Sequence, residues 1–220
     1  MDTAVHGLAA IVMTPAELRE ALREARLLAI VRGPDPAGLI VCLRTLADAG
    51  VRLAEVSLTS TSALEVLKQA TSELGDRLTI GAGTVLTAED AHRSHSAGAE
   101  FLVTPAGGKG EDAGQEIDMA VLTGALTPTE VWAAYQRGAA AVKLFPASLG
   151  GTAYVRALRD PFPQVPLVPV GGVDLEAASA YMEAGALAIG VGSPLLGDAV
   201  TGGRRSDLAG RAQRFLEAVR

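Results

Sequence analysis

The chain has 220 residues, of which 49% are hydrophobic and 4% aromatic, and it carries a formal net charge of −6. That is enough apolar material for one large core, and the acidic balance excludes the broad basic surface that would attract nucleic acid or an anionic membrane. A single cysteine, Cys42, excludes an internal disulfide and reads as a packed thiol in a cytoplasmic protein.

The opening Met1-Asp2 is not followed by a basic region, so no targeting segment is expected, and the first dozen residues read as a loose leader. No apolar run approaches the roughly 18 residues that a membrane-spanning helix needs. Thr14-Pro15-Ala16-Glu17 supplies a capping hydroxyl, a proline suited to the first helical position and a glutamate to complete a capping box, which predicts a helix to about Arg26. The apolar run 27–32 predicts a strand that ends in Arg32 and stops at Gly33-Pro34. Helical spacing follows over 35–49, closed by Ala49-Gly50.

The pattern then repeats. Strands are expected at 53–58, 78–83 and 101–104, with helices at 63–74 and 88–97 between them. The segment 106–114 is glycine-rich and nearly free of apolar residues, so only a short or distorted element is expected there. Met119 to Leu122 reads as the fifth strand, and Thr127-Pro128-Thr129-Glu130 repeats the capping signature for a helix to Arg137. A sixth strand runs through 139–147, a seventh through 166–170 and an eighth through 186–191, separated by helices around 154–158 and 177–184. Ser206 is placed to cap a last amphipathic helix to Val219.

Eight strands alternating with helices define an α/β chain and suit a single (β/α)₈ barrel with an extra N-terminal helix, spanning residues 1–220 as one domain. A doubly wound sheet is the competing arrangement, but no Gly-x-Gly-x-x-Gly follows the first strand, where a dinucleotide fold would want it.

In such a barrel the chemistry gathers at the carboxyl ends of the strands. Lys143 lies inside the apolar run 139–147, where alternation puts it on one face with Ala141 and Phe145. A buried lysine needs a partner or a chemical task; the plainer account is a strand end with its ammonium in solvent. Glu55 shares a face with Leu53 and Ser57, whereas Ala54, Val56 and Leu58 form a wholly apolar face for the helices, so Glu55 turns inward. Its plainer account is a structural ion pair with Arg32 or Lys143. Gly171-Gly172 after the seventh strand and the Gly190–Pro194 turn after the eighth occupy the usual phosphate position of barrels, although glycines also serve any tight turn. His92 and His95 are spaced to share a helix face, but no third ligand accompanies them, so no metal site is expected.

Five stretches in order, Ala-Ile-Val-Arg-Gly (29–33), Ala-Glu-Val-Ser-Leu (54–58), Ile-Gly-Ala-Gly-Thr-Val-Leu (80–86), Val-Lys-Leu-Phe-Pro-Ala (142–147) and Pro-Val-Gly-Gly-Val (169–173), resemble the bacterial 2-keto-3-deoxy-6-phosphogluconate aldolase family. This family includes 4-hydroxy-2-oxoglutarate and 2-dehydro-3-deoxy-6-phosphogalactonate aldolases, and the resemblance runs from Leu27 to about Leu196. It implies a homotrimeric class I aldolase without a cofactor, cleaving a phosphorylated keto acid to pyruvate and glyceraldehyde 3-phosphate. Lys143 would form the imine with pyruvate and Glu55 would move protons. Thr84, Pro105 and Phe145 would line the pyruvate pocket, and Gly171, Gly172 and Ser193 would hold the phosphate.

The chain also departs from the family pattern. Thr59 stands where some members carry an arginine that grips the pyruvate carboxylate, and Arg32 is the substitute, its guanidinium fork matching a carboxylate. The 106–114 segment differs from the usual helix, and Thr123-Gly124 replaces a common Pro-Gly pair. Thr59, Ser60 and the 106–114 loop are the expected readers of the sugar epimer, and Arg32 with Val170 leans toward the galactonate branch. Two other readings remain open at this point: another phosphate-binding barrel of the thiamine-phosphate synthase kind, and a non-catalytic phosphate-ligand binder.

Overall fold

A computed structural model describes residues 12–220, so the expected leader and His6 lie outside the described residues apart from residue 12 itself. The first helix, α1 (Pro15–Ala25), begins as its sequence dictates. The Thr14 hydroxyl accepts from the Glu17 N–H, while the Glu17 carboxylate accepts from the Thr14 N–H at 2.8 Å. That Thr14 N–H bond, and a second from the Thr14 hydroxyl to the same carboxylate, hold the Glu17 carboxyl below its ordinary value. The helix stops at Arg26, which adopts a left-handed conformation.

Eight strand–helix units follow: β1 (Leu27–Val31), α2 (Pro36–Asp48), β2 (Leu53–Ser57), α3 (Ala63–Leu74), β3 (Thr79–Gly83), α4 (Ala88–Ser96), β4 (Leu102–Val103) and α5 (Lys109–Glu116) make the first half. The second half comprises β5 (Val121–Ala125), α6 (Pro128–Gln136), β6 (Ala141–Leu144), α7 (Gly151–Arg159), β7 (Leu167–Pro169), α8 (Leu175–Glu183), β8 (Ile189–Val191), the short α9 (Ser193–Leu196) and α10 (Arg205–Ala218). All pairings are parallel, in the order β7-β6-β5-β4-β3-β2-β1-β8. The two ends of this ribbon meet, because Val170 bridges to Gly190 and the Leu187 N–H donates to the Leu167 carbonyl at 2.8 Å. The sheet is therefore a barrel and not an open doubly wound sheet.

Strand alternation sorts the apolar residues into two packed layers. Ala54, Val56, Leu102, Val142 and Leu144 face outward and pack under the helices, where Cys42 is also buried. Leu28, Leu53, Phe101, Val103, Leu122, Ala141 and Val168 face inward. Leu18 and Leu22 of α1 join this inner cluster and close the amino-terminal end of the barrel. Each such buried leucine contributes roughly 1.5–3 kcal/mol.

Two expectations need correction and a third is met. The fifth strand is Val121–Ala125, not 119–122, because the Ala120 N–H is bonded to the Met13 carbonyl below the barrel and the ladder continues through Thr123 and Gly124. The 106–114 region, expected to hold a short or distorted element, carries the short one: α5, an eight-residue helix. A side chain at Gly114 would strike Leu102 and Val121, so glycine here permits the helix to press directly on the sheet. Finally, α10 starts at Arg205 with Arg204 in the capping position, two residues earlier than the Ser206 cap expected.

Candidate active site

The register of the inner face decides what meets at the carboxyl ends of the strands. Gly124 on β5, Lys143 on β6 and Val168 on β7 lie at one level. Ile30 on β1, Glu55 on β2 and Gly81 on β3 lie at another. From these two positions the side chains of Lys143 and Glu55 converge: Nζ of Lys143 is 4.0 Å from Oε1 of Glu55. Both are buried, at 6% and 1% exposure. The solvent-exposed lysine reading is thereby excluded.

The carboxylate has been given room rather than partners. A Cβ on Gly83 would lie 2.5 Å from Glu55 Oε1, so only glycine at the end of β3 leaves space for it. Glu55 Oε2 is buried without a hydrogen-bond partner among the described residues, a condition native proteins avoid outside functional sites. Burial pushes the Glu55 carboxyl above its ordinary value, and the positive charges of Lys143 and Arg32 only partly oppose this. Arg32 itself follows β1 and is exposed, so its guanidinium is available to an anion in the barrel mouth.

The remaining predicted residues surround this pair. The Phe145 ring centroid is 5.5 Å from Lys143 Nζ, within cation–π range, and the ring is 40% exposed at the barrel mouth. Gly171 lies against the same ring, where a Cβ would be 3.0 Å from it. Gly171 and Gly172 both adopt positive φ values, 88° and 79°, and the exposed Ser193 opens α9 after β8. Pro105 backs onto Gly124, whose N–H donates to the Thr104 hydroxyl at 3.3 Å. Thr59 is exposed, and Thr84 is half-buried with φ of 61°. Both bond to a residue that the sequence reading placed on the inward face without giving it a role: Ser57 Oγ is 2.8 Å from Thr59 Oγ1 and 3.0 Å from Thr84 Oγ1.

A second buried carboxylate, Glu111 on α5, was missed. It accepts from the Thr123 hydroxyl at 2.9 Å and from the Arg137 guanidinium, between the sheet and the helices. The only sequence signal was an acidic residue in a segment with little else to anchor it. Among the described residues no cluster of metal-ligating side chains occurs, and His92 is exposed.

A parallel barrel that buries an amine against an under-bonded carboxylate at the ends of its strands has the architecture of a barrel enzyme working through a nucleophilic lysine. More narrowly, the chain belongs to the KDPG and KHG aldolase family, whose model matches residues 18–205. It is 32% identical over 205 residues to the 2-dehydro-3-deoxy-phosphogluconate aldolase of Treponema pallidum (strain Nichols), covering 91% of this chain and 96% of that protein. It is 33% identical over 179 residues to the 2-dehydro-3-deoxy-6-phosphogalactonate aldolase of Escherichia coli (strain K12), covering 77% and 83%. A solved structure described as native KDPGal superimposes with a TM-score of 0.82 at 31% identity, covering 87% of this chain and 93% of that one. The family match disfavours the thiamine-phosphate synthase and non-catalytic readings.

Proposed function

We propose that the protein is a class I aldolase that cleaves a 2-keto-3-deoxy-6-phospho sugar acid to pyruvate and glyceraldehyde 3-phosphate. The observation that carries this reading is the buried Lys143 Nζ set 4.0 Å from Glu55 Oε1. The unprotonated amine of Lys143 attacks the C2 carbonyl, whose oxygen leaves as water, and an iminium remains. The C4 hydroxyl then gives its proton to Glu55 and becomes a carbonyl as the C3–C4 bond breaks, and the freed electron pair flows into the iminium to give an enamine. Glyceraldehyde 3-phosphate departs. Glu55 returns the proton to C3, and water hydrolyses the restored iminium to pyruvate and free amine.

A carboxyl held above its ordinary value is suited to both halves of that proton traffic. Arg32 binds the carboxylate end of the substrate, and Thr84, Pro105 and Phe145 enclose the pyruvate portion. Gly171, Gly172 and Ser193 take the phosphate at the position barrels commonly use. Thr59, Ser60 and the 106–114 wall read the sugar epimer. The one-domain chain works as a cytoplasmic homotrimer, which light scattering of the purified protein checks.

Incubation with pyruvate, reduction by borohydride and peptide mass spectrometry test the chemistry: a reduced adduct on the Lys143 peptide is expected, and its absence overturns the reading. Rates on gluconate- and galactonate-derived substrates then assign the epimer.

A further inference from the structure

We infer that Thr59 and Ser57 form a one-way hydroxyl relay that fixes Thr84 as a hydrogen-bond donor to the carboxylate of the bound keto acid. This rests on the aldolase reading above and assigns Ser57 a positioning role within it.

Ser57 ends β2, one pleat beyond Glu55 on the same inward face, and is 1% exposed. Its hydroxyl lies between two others, 2.8 Å from Thr59 Oγ1 and 3.0 Å from Thr84 Oγ1. Each hydroxyl carries one proton. Ser57 accepting from both neighbours would strand its own proton in a buried position, which folded chains avoid. The three groups therefore run in one of two directions. If Thr84 donates to Ser57 and Ser57 to Thr59, the Thr84 proton is consumed and its oxygen can only accept. If Thr59 donates to Ser57 and Ser57 to Thr84, the Thr84 proton is free.

A carboxylate only accepts, so an anionic keto acid at this site selects the second direction. In that direction the relay also polarises the Thr84 O–H, strengthening it as a donor. The exposed Thr59 oxygen accepts from solvent and so anchors the outer end. Thr84 holds φ of 61°, a left-handed conformation costly for a β-branched residue, with its N-terminal neighbour Gly83 packed on the Glu55 carboxylate. The hydroxyl bond to Ser57 is one of the contacts that keep it there. Thr59 is thus a neutral orienting residue, and the positive charge at the carboxylate comes from Arg32.

The test is the concentration of ketone giving half-maximal borohydride trapping on Lys143, compared for pyruvate and for hydroxyacetone, a neutral ketone. Ser57→Ala and Thr59→Val are expected to raise the pyruvate value about tenfold, with the hydroxyacetone value moving less than about twofold, and Thr59→Ser is expected to restore pyruvate binding. An unchanged pyruvate value, or equal losses for both ketones as a merely structural role would give, overturns the relay. Wild-type protein that yields no Lys143 adduct overturns the aldolase reading itself, and the relay with it.

Discussion

Glu55 and Glu111 are the same residue type at the same depth, 1% and 0% exposed, yet they are opposite solutions to burying a carboxylate. Glu111, on the outer side of the sheet, has both oxygens occupied by Thr123 and Arg137. Glu55, on the inner side, has one oxygen 4.0 Å from Lys143 Nζ and the other without a hydrogen-bond partner among the described residues. A satisfied carboxylate ties two layers together; an unsatisfied one is left with unspent bonding capacity that a reactant can use. Depth alone distinguishes nothing, and the count of hydrogen-bond partners does.

Three substitutions break or sharpen that contrast. The largest effect is expected at Glu55→Gln, which keeps the shape and removes the proton carrier: kcat should fall about 10²- to 10⁴-fold, measured by coupled assay of pyruvate release. The same variant carries a stability signature. Because the folded Glu55 carboxyl holds its proton to higher pH than the unfolded one, its stabilising contribution is complete below the ordinary value of 4.5 and is lost as pH rises through the folded titration. Denaturation midpoints of the Gln variant should therefore rise relative to those of wild type as pH increases, and a variant midpoint that falls relative to wild type over that range would contradict the assigned shift.

Arg137→Ala should act the other way, sparing the reacting groups and costing stability. It leaves Glu111 buried without its counter-charge, a loss of about 2 kcal/mol once the half-exposed position of Arg137 is allowed for, read from urea unfolding. The smallest effect is expected at Ser94, whose Oγ is the other buried side-chain atom without a partner among the described residues. Ser94→Ala on α4 should shift unfolding by no more than about 0.5 kcal/mol, toward greater stability, because nothing is left unpaired by removing it.

Much of this arrangement was legible in the chain. The one acidic residue among alternating apolar positions at 53–58 announced its inward direction by pattern alone, whereas the single lysine in the run 139–147 was marked only as a group needing a partner or a task, both faces of its strand being apolar. What escaped depended on contacts between distant segments. Gly124 does not look like a strand residue, yet the ladder continues through it, while the Ala120 N–H, inside the expected strand, is bonded to the distant Met13 carbonyl. The helix α5 has poor intrinsic propensity and is held by Glu111 and by close packing at Gly114, neither of which propensity registers. Ser57 was correctly faced inward, but its two threonine partners lie across a turn and on the next strand end, beyond what alternation can pair.

The two leucines of α1 seated in the inner cluster change the topology of access. They make the barrel a cup instead of a pipe. Every reactant and every water molecule must arrive and leave past the rim formed by the strand ends, so a carbanion-like species formed on the lysine is guarded from behind by hydrocarbon, and the rim residues alone govern which molecules quench it.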